Sequence, residues 1–117
     1  MERNPFLGIW RITEMEQWDP DFINVEEQGY FKFGKGDQGI FQFGYVHGDM
    51  DYEIETVEGK PRLEFSFIGN DETDEINGRG WARIEDDGKM FGKLAFHWGE
   101  RSWFRAKKKV KRIRRKK

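Results

Sequence analysis

Residues 49–55 read Asp49-Met50-Asp51-Tyr52-Glu53-Ile54-Glu55, an apolar residue at every even position and a carboxylate at every odd one. Side chains of an extended strand alternate between its two faces, so Met50, Tyr52 and Ile54 face a core while the acids face water. A helix would scatter the same acids around its circumference. The stretch therefore predicts a half-buried strand of an antiparallel sheet.

The alternation recurs on both sides of it. In residues 6–16, Phe6, Gly8, Trp10 and Ile12 share one face with Arg11 on the other. A second strand covers residues 30–33 and ends in the glycine-rich run 34–39; a third, 40–46, sets Phe41, Phe43 and Tyr45 on one face. His47-Gly48, just before the opening stretch, reads either as a tight turn or as a bulge within one long strand, because glycine serves both uses. Glu58-Gly59-Lys60-Pro61 turns the chain into a fifth strand, where Leu63, Phe65 and Phe67 alternate with Arg62, Glu64 and Ser66. The sixth runs over 80–85, and Asp86-Asp87-Gly88 is a hairpin signal. The seventh, 90–98, groups Leu94, Phe96 and Trp98 opposite Lys93 and His97, and Gly99-Glu100 leads into an eighth at 102–107 with Phe104 and Ala106 inward. The period changes at residues 19–25, where Asp19 before Pro20 predicts the cap and first turn of a short helical turn.

Eight short strands joined mostly by tight turns make an all-β, antiparallel up-and-down meander. An open meander has two unpaired edges and closure removes them, so the predicted fold is a small barrel of about eight strands. It occupies residues 1–106 as one domain, followed by a basic tail at 107–117.

Composition agrees with strands. Only 36% of the 117 residues are hydrophobic and 37% are charged, but the aromatics number 11 Phe, 5 Trp and 3 Tyr. Each aromatic buries about 150–250 Å², so few side chains are needed to close a core. With no cysteine there is no disulfide and no thiolate nucleophile or metal ligand. No run approaches the ~20 apolar residues that span a bilayer, and the N-terminus lacks a signal-like apolar segment. A cytoplasmic protein without a transmembrane segment is expected. Net charge is −1, yet residues 1–106 hold twelve basic against twenty-two acidic residues and 107–117 hold nine basic ones. The chain is an acidic globule with a cationic end.

Gly8-Ile9-Trp10 in the first strand, with Arg105 in the last, resembles the signature of calycin barrels such as lipocalins and avidins. That resemblance implies a tryptophan closing one barrel end under a basic residue of the final strand. A broader set of motifs resembles a family of small, uncharacterised bacterial proteins: Trp10-Arg11-Ile12, Trp18-Asp19 with Phe22-Ile23, Phe43-Gly44 with Val46 and Gly48, Gly69-Asn70-Asp71-Glu72, Gly78-Arg79-Gly80-Trp81-Ala82, Asp87-Gly88 and Phe96-His97. It spans about residues 6–106 and implies a shared barrel but no particular reaction.

Three sets of residues are candidates for function. Inward aromatics, among them Trp10, Phe43, Tyr52, Phe67, Phe96 and Trp98, either fill the barrel or line a pocket for a small, partly apolar ligand, since eight strands suit both. The acidic run between strands five and six reads as a loop longer than a tight hairpin. Asp71 would cap one helical turn with Asp74 as its partner, Glu72 lies between them, and Arg79 and Trp81 stand at the exit. As a site, the loop would serve a hard cation or acid–base chemistry; as structure, Arg79 pairs with the neighbouring carboxylates. Trp81 and Arg83 share a face of strand six with Lys93 across from them, a pattern that predicts a cation–π ladder on the outer wall. The tail residues Lys107, Lys108, Lys109, Lys111, Arg112, Arg114 and Arg115 form an electrostatic arm for nucleic acid or another anionic surface.

His47 and His97 show no spacing that joins them to a carboxylate, and no Gly-x-Ser-x-Gly nucleophile motif occurs. The sequence thus favours a non-enzymatic binding module for a small ligand or a protein partner, without cofactor or metal. A nucleic-acid- or ribosome-associated protein acting through the tail is the alternative, and an enzyme at residues 70–81 comes third.

Overall fold

A computed structural model describes residues 4–110. Eight strands follow one another around a closed antiparallel barrel: β1 (Gly8–Met15), β2 (Tyr30–Phe33), β3 (Gln38–Phe43), β4 (Val46–Val57), β5 (Lys60–Asp71), β6 (Asp74–Ile84), β7 (Met90–Phe96) and β8 (Arg101–Lys108). β8 pairs with β1 to complete the ring, Trp10 opposite Lys108 and Met15 opposite Phe104. The one helix among the described residues, α1 (Pro20–Ile23), starts where the Asp19-Pro20 pair places it, the Asp19 carboxylate accepting from the Phe22 amide at 3.0 Å.

The interior is aromatic, and glycines make room for it. Phe41 stands opposite Gly48, Phe67 opposite Gly78, Phe65 opposite Gly80 and Phe104 opposite Gly92. A methyl group on each of those glycines would collide with the facing ring, at 2.7 Å for Phe67, 2.5 Å for Phe65 and 2.6 Å for Phe104. Each phenyl therefore lies flat over the backbone of the next strand. Phe31 on β2 packs against Phe65 on β5 at 6.0 Å and Phe104 on β8 at 4.4 Å between ring centroids, so side chains from opposite walls meet at the axis.

Both ends are plugged. At the upper end, α1 and its flanks bring Trp18 to 4.8 Å from Phe43 and 6.2 Å from Phe96. At the lower end, Phe6 and Trp10 are buried and the indole Nε1 donates to the Phe6 carbonyl at 2.9 Å. Lys108 stands over Trp10, its Nζ 5.1 Å from the ring centroid and donating to the Leu7 carbonyl at 2.6 Å.

The structure moves several expected boundaries. The β3–β4 turn is Gly44-Tyr45, with Gly44 at φ 60°, so His47-Gly48 is neither turn nor bulge but regular ladder opposite Gln42 and Phe41. Tyr45 therefore sits in the turn and is exposed. Strands β5 and β6 pair all the way to Asp71 opposite Asp74, leaving a two-residue turn of Glu72-Thr73. The acidic run is thus a tight hairpin tip without a helical turn, and Asp71 caps nothing. β7 ends at Phe96, and Trp98 stands in the connecting loop at φ 60° with 95% of its surface exposed. β8 extends through Lys108, and the Lys109 amide donates to the Ile9 carbonyl at 2.8 Å, so the first basic residues of the tail belong to the barrel wall.

Candidate nucleic-acid interface

Of the aromatics expected to line a pocket, Trp10, Phe43, Tyr52 and Phe67 are buried in one continuous core, against which Phe96 packs. Phe67 lies 5.0 Å from Phe41 and 5.5 Å from Phe96, and Phe33 lies 5.4 Å from Tyr52. Tyr52 also donates its hydroxyl to the Gly34 carbonyl and accepts from Asn4 Nδ2 at 3.0 Å. Burial raises its phenol pKa above 10.0, opposed by the Asn4 hydrogen bond and assisted by Asp37. Trp98 is apart from this group, stacked on His97 at 4.6 Å.

The hairpin tip does not assemble a site with Arg79 and Trp81. Arg79 stands opposite Ser66 on the outer wall, five residues along β6 from Asp74, about 17 Å at strand rise. Asp71, Glu72 and Asp74 are exposed. Among the described residues, no three His, Cys, Asp or Glu side chains converge to hold a metal ion. His47 lies 3.4 Å from Glu26, which also accepts from Gln42 Nε2 at 3.1 Å; these contacts pin the α1 loop to β3 and β4.

The outer wall of β5–β8 is different in kind. Strand parity turns Phe41-type residues inward and sends Arg79, Trp81 and Arg83 outward on β6, Phe91 and Lys93 on β7, and Arg101, Trp103 and Arg105 on β8. They interleave. Arg62 lies 4.2 Å over Trp81; Arg83 is 5.6 Å from Trp81 and 5.0 Å from Phe91; Arg105 is 5.1 Å from Phe91 and 5.3 Å from Trp103. The rings are neighbours too, Trp81 to Phe91 at 6.0 Å and Phe91 to Trp103 at 6.1 Å. Carboxylates on the same surface pair with the arginines: Glu64 with Arg62 at 3.0 Å, Glu85 with Arg83 at 3.0 Å and Glu14 with Arg105 at 3.6 Å.

Of the ladder expected from Trp81, Arg83 and Lys93, Arg83 stands over Trp81 and Lys93 lies opposite it in register, but the second cation on the Trp81 ring is Arg62 and not Lys93. Sequence reasoning missed its continuation through Arg62, Phe91, Trp103 and Arg105. Alternation along β8 was the available signal, but cross-strand neighbours depend on hairpin register. The calycin resemblance implies Arg105 over Trp10; Arg105 points instead to the outer ladder, and Lys108 covers the indole.

Lys107, Lys108 and Lys109 continue this wall downward as exposed residues; Lys111, Arg112, Arg114 and Arg115 lie outside the described residues. On β4, the strand next to β5, the outward positions are Asp49, Asp51, Glu53 and Glu55. Charge is therefore segregated around the barrel. No helix among the described residues is long and apolar enough to cross a membrane.

The chain matches no family model, and no curated protein is similar to it.

Proposed function

We infer that this protein is a non-catalytic binding barrel that holds a nucleic acid on its outer surface, along the β5–β8 wall and the basic C-terminal segment. The observation that carries this reading is the Arg62–Trp81–Arg83–Phe91–Arg105–Trp103 ladder. Aromatic faces hold the guanidinium planes, so little side-chain freedom is lost when their remaining N–H groups meet phosphate. Exposed cations at Arg79, Lys93, Arg101 and Lys107 widen the field, while the carboxylates of β4 repel a polyanion and so orient it. The packed interior also favours a surface role, because a ligand inside would have to displace phenyl rings already in contact.

The test is fluorescence anisotropy of a labelled oligonucleotide titrated with the full chain across a salt series. Affinity is expected to fall with a log–log slope of about −0.7 to −0.9 for each phosphate neutralised. Replacing Arg83 and Arg105 by Glu is expected to lower affinity at least tenfold, on the order of one lost charge-assisted contact each. Binding that ignores salt, or that survives this double reversal, would sink the reading.

A further inference from the structure

The same wall contains a depression with its own charge order. Two rows of side chains cross it at right angles to the strands. In ladder register from β4 to β8, one row runs Asp51, Ser66, Arg79, Ala95, Arg101. The adjacent row runs Glu53, Glu64, Trp81, Lys93, Trp103. These residues line a concavity of about 750 Å³, whose floor is low at Ser66 and Ala95 because their side chains are small. One row passes from carboxylate on β4, the other from carboxylates on β4 and β5, to cations on β6–β8, where the two indoles also stand; Glu16, beside Trp103, adds a carboxylate at the far rim.

A uniformly basic trough would suit phosphates alone. A trough that is acidic along one side suits a unit with an anion at one end and hydrogen-bond donors at the other. An unpaired nucleotide with an amino-bearing base is such a unit; in a duplex one hydrogen of each amino group is used in pairing and the other lies in a groove, on a base that cannot leave the stack to lie on an indole. Glu64 and Lys93 are two strand spacings apart, about 9.5 Å, a span one nucleotide bridges.

We propose that this trough is the subsite for one unstacked nucleotide of a single strand and that it selects bases carrying an exocyclic amino group. The proposal rests on the nucleic-acid reading above. The phosphate lies over β7 beside Lys93, between Arg79 and Arg101, and the base stacks against an indole, as single-strand binders stack bases on aromatic side chains. Its amino group donates to Glu64 or Asp51. Glu64 meets Arg62 through Oε2, which leaves Oε1 to accept. Cytosine presents an N4 amino donor where thymine presents the O4 acceptor, so a carboxylate attracts the first and repels the second.

The experiment compares labelled oligo-dC, oligo-dT and a duplex of equal length, each titrated with the full chain at one low salt concentration. Oligo-dC is expected to bind about tenfold tighter than oligo-dT, the worth of one good base-edge contact, and tighter than the duplex. In Asp51→Asn with Glu64→Gln the preference is expected to vanish. Ala95→Glu, an outward change that sets a carboxylate between Arg79 and Arg101, is expected to weaken both single strands while circular dichroism shows an intact barrel. Equal affinity for oligo-dC and oligo-dT, or a duplex bound as tightly as oligo-dC, overturns the subsite and leaves nucleic-acid binding standing. Absence of binding to all three overturns that wider reading as well.

Discussion

Glycine and phenylalanine act in this barrel as paired residues. Gly80 has no room for a methyl group: it would meet Phe65 Cζ at 2.5 Å on one side and the Lys93 carbonyl on the other. Gly80→Ala is expected to cost about 1–3 kcal/mol by overpacking, measured by urea denaturation. Phe65→Leu in the same chain should restore part of it, giving a coupling of at least about 0.5 kcal/mol in a double-mutant cycle; strictly additive losses would deny the pairing. Tyr52 supplies a pH signature. Its folded pKa is raised above 10.0, mainly by burial, so the folded state holds the phenolic proton more tightly than the unfolded chain does. Its share of stability is complete below pH 10 and is lost as pH rises from there through the folded value. Tyr52→Phe is expected to flatten that alkaline decline, leaving the part due to Tyr30, whose pKa is also raised, by burial first and then by Glu27. At neutral pH the same change forfeits the hydrogen bond to Gly34, about 1 kcal/mol. Alternation alone identified Phe65 and Tyr52 as inward, but that Gly80 lies under Phe65 depends on register between strands, which no single strand encodes.

At the scale of elements, the hairpins decided what one chain's pattern left open. A run of four carboxylates in five residues, 71–75, has the composition of a loop, yet continued pairing of β5 and β6 carries it into the ladder up to Asp71 and Asp74. Pairing wins because those backbone groups would otherwise need other partners, and because the two turn residues suffice once Glu72 takes φ 56°. A left-handed position favours glycine, so Glu72→Gly is expected to leave stability unchanged or raise it by up to about 1 kcal/mol. Addition of Ca²⁺ or Mg²⁺ is expected to leave the thermal midpoint where it was, since no convergent carboxylates meet at the tip; a concentration-dependent rise would restore the metal reading. Trp98 was misplaced for a related reason. Parity continued past Phe96 would have sent it inward, but the strand stops there and the Phe96 amide bonds to the Glu100 carbonyl at 2.9 Å, closing the loop beneath an exposed indole.

Taken whole, the molecule is a closed wall whose acidic strand β4 adjoins the cationic β5–β8 part of its circumference, and Lys107, Lys108 and Lys109 continue the cationic part. Truncation after Val110 is expected to leave the thermal midpoint nearly unchanged, because the final described contact of the wall is the Lys109 amide on Ile9, and to reduce the salt slope of oligonucleotide binding without abolishing it. Truncation before Arg105 is expected to prevent folding, since it removes most of the β1–β8 seam; a folded product would mean the barrel does not depend on closure. Much of this architecture is local in origin. Alternation, turn residues and the Asp19-Pro20 cap are properties of a few neighbouring positions, so the strand count, the antiparallel order, the need to close and most inward positions follow from the sequence, the exceptions being Tyr45, Ile54 and Trp98, which are exposed. The extension of the ladder through Arg62, Phe91, Trp103 and Arg105 and the trough over Ala95 arise only in the folded barrel, because they join residues of four or five strands whose alignment is set by hairpin register and barrel closure, and neither is written in any one stretch of chain.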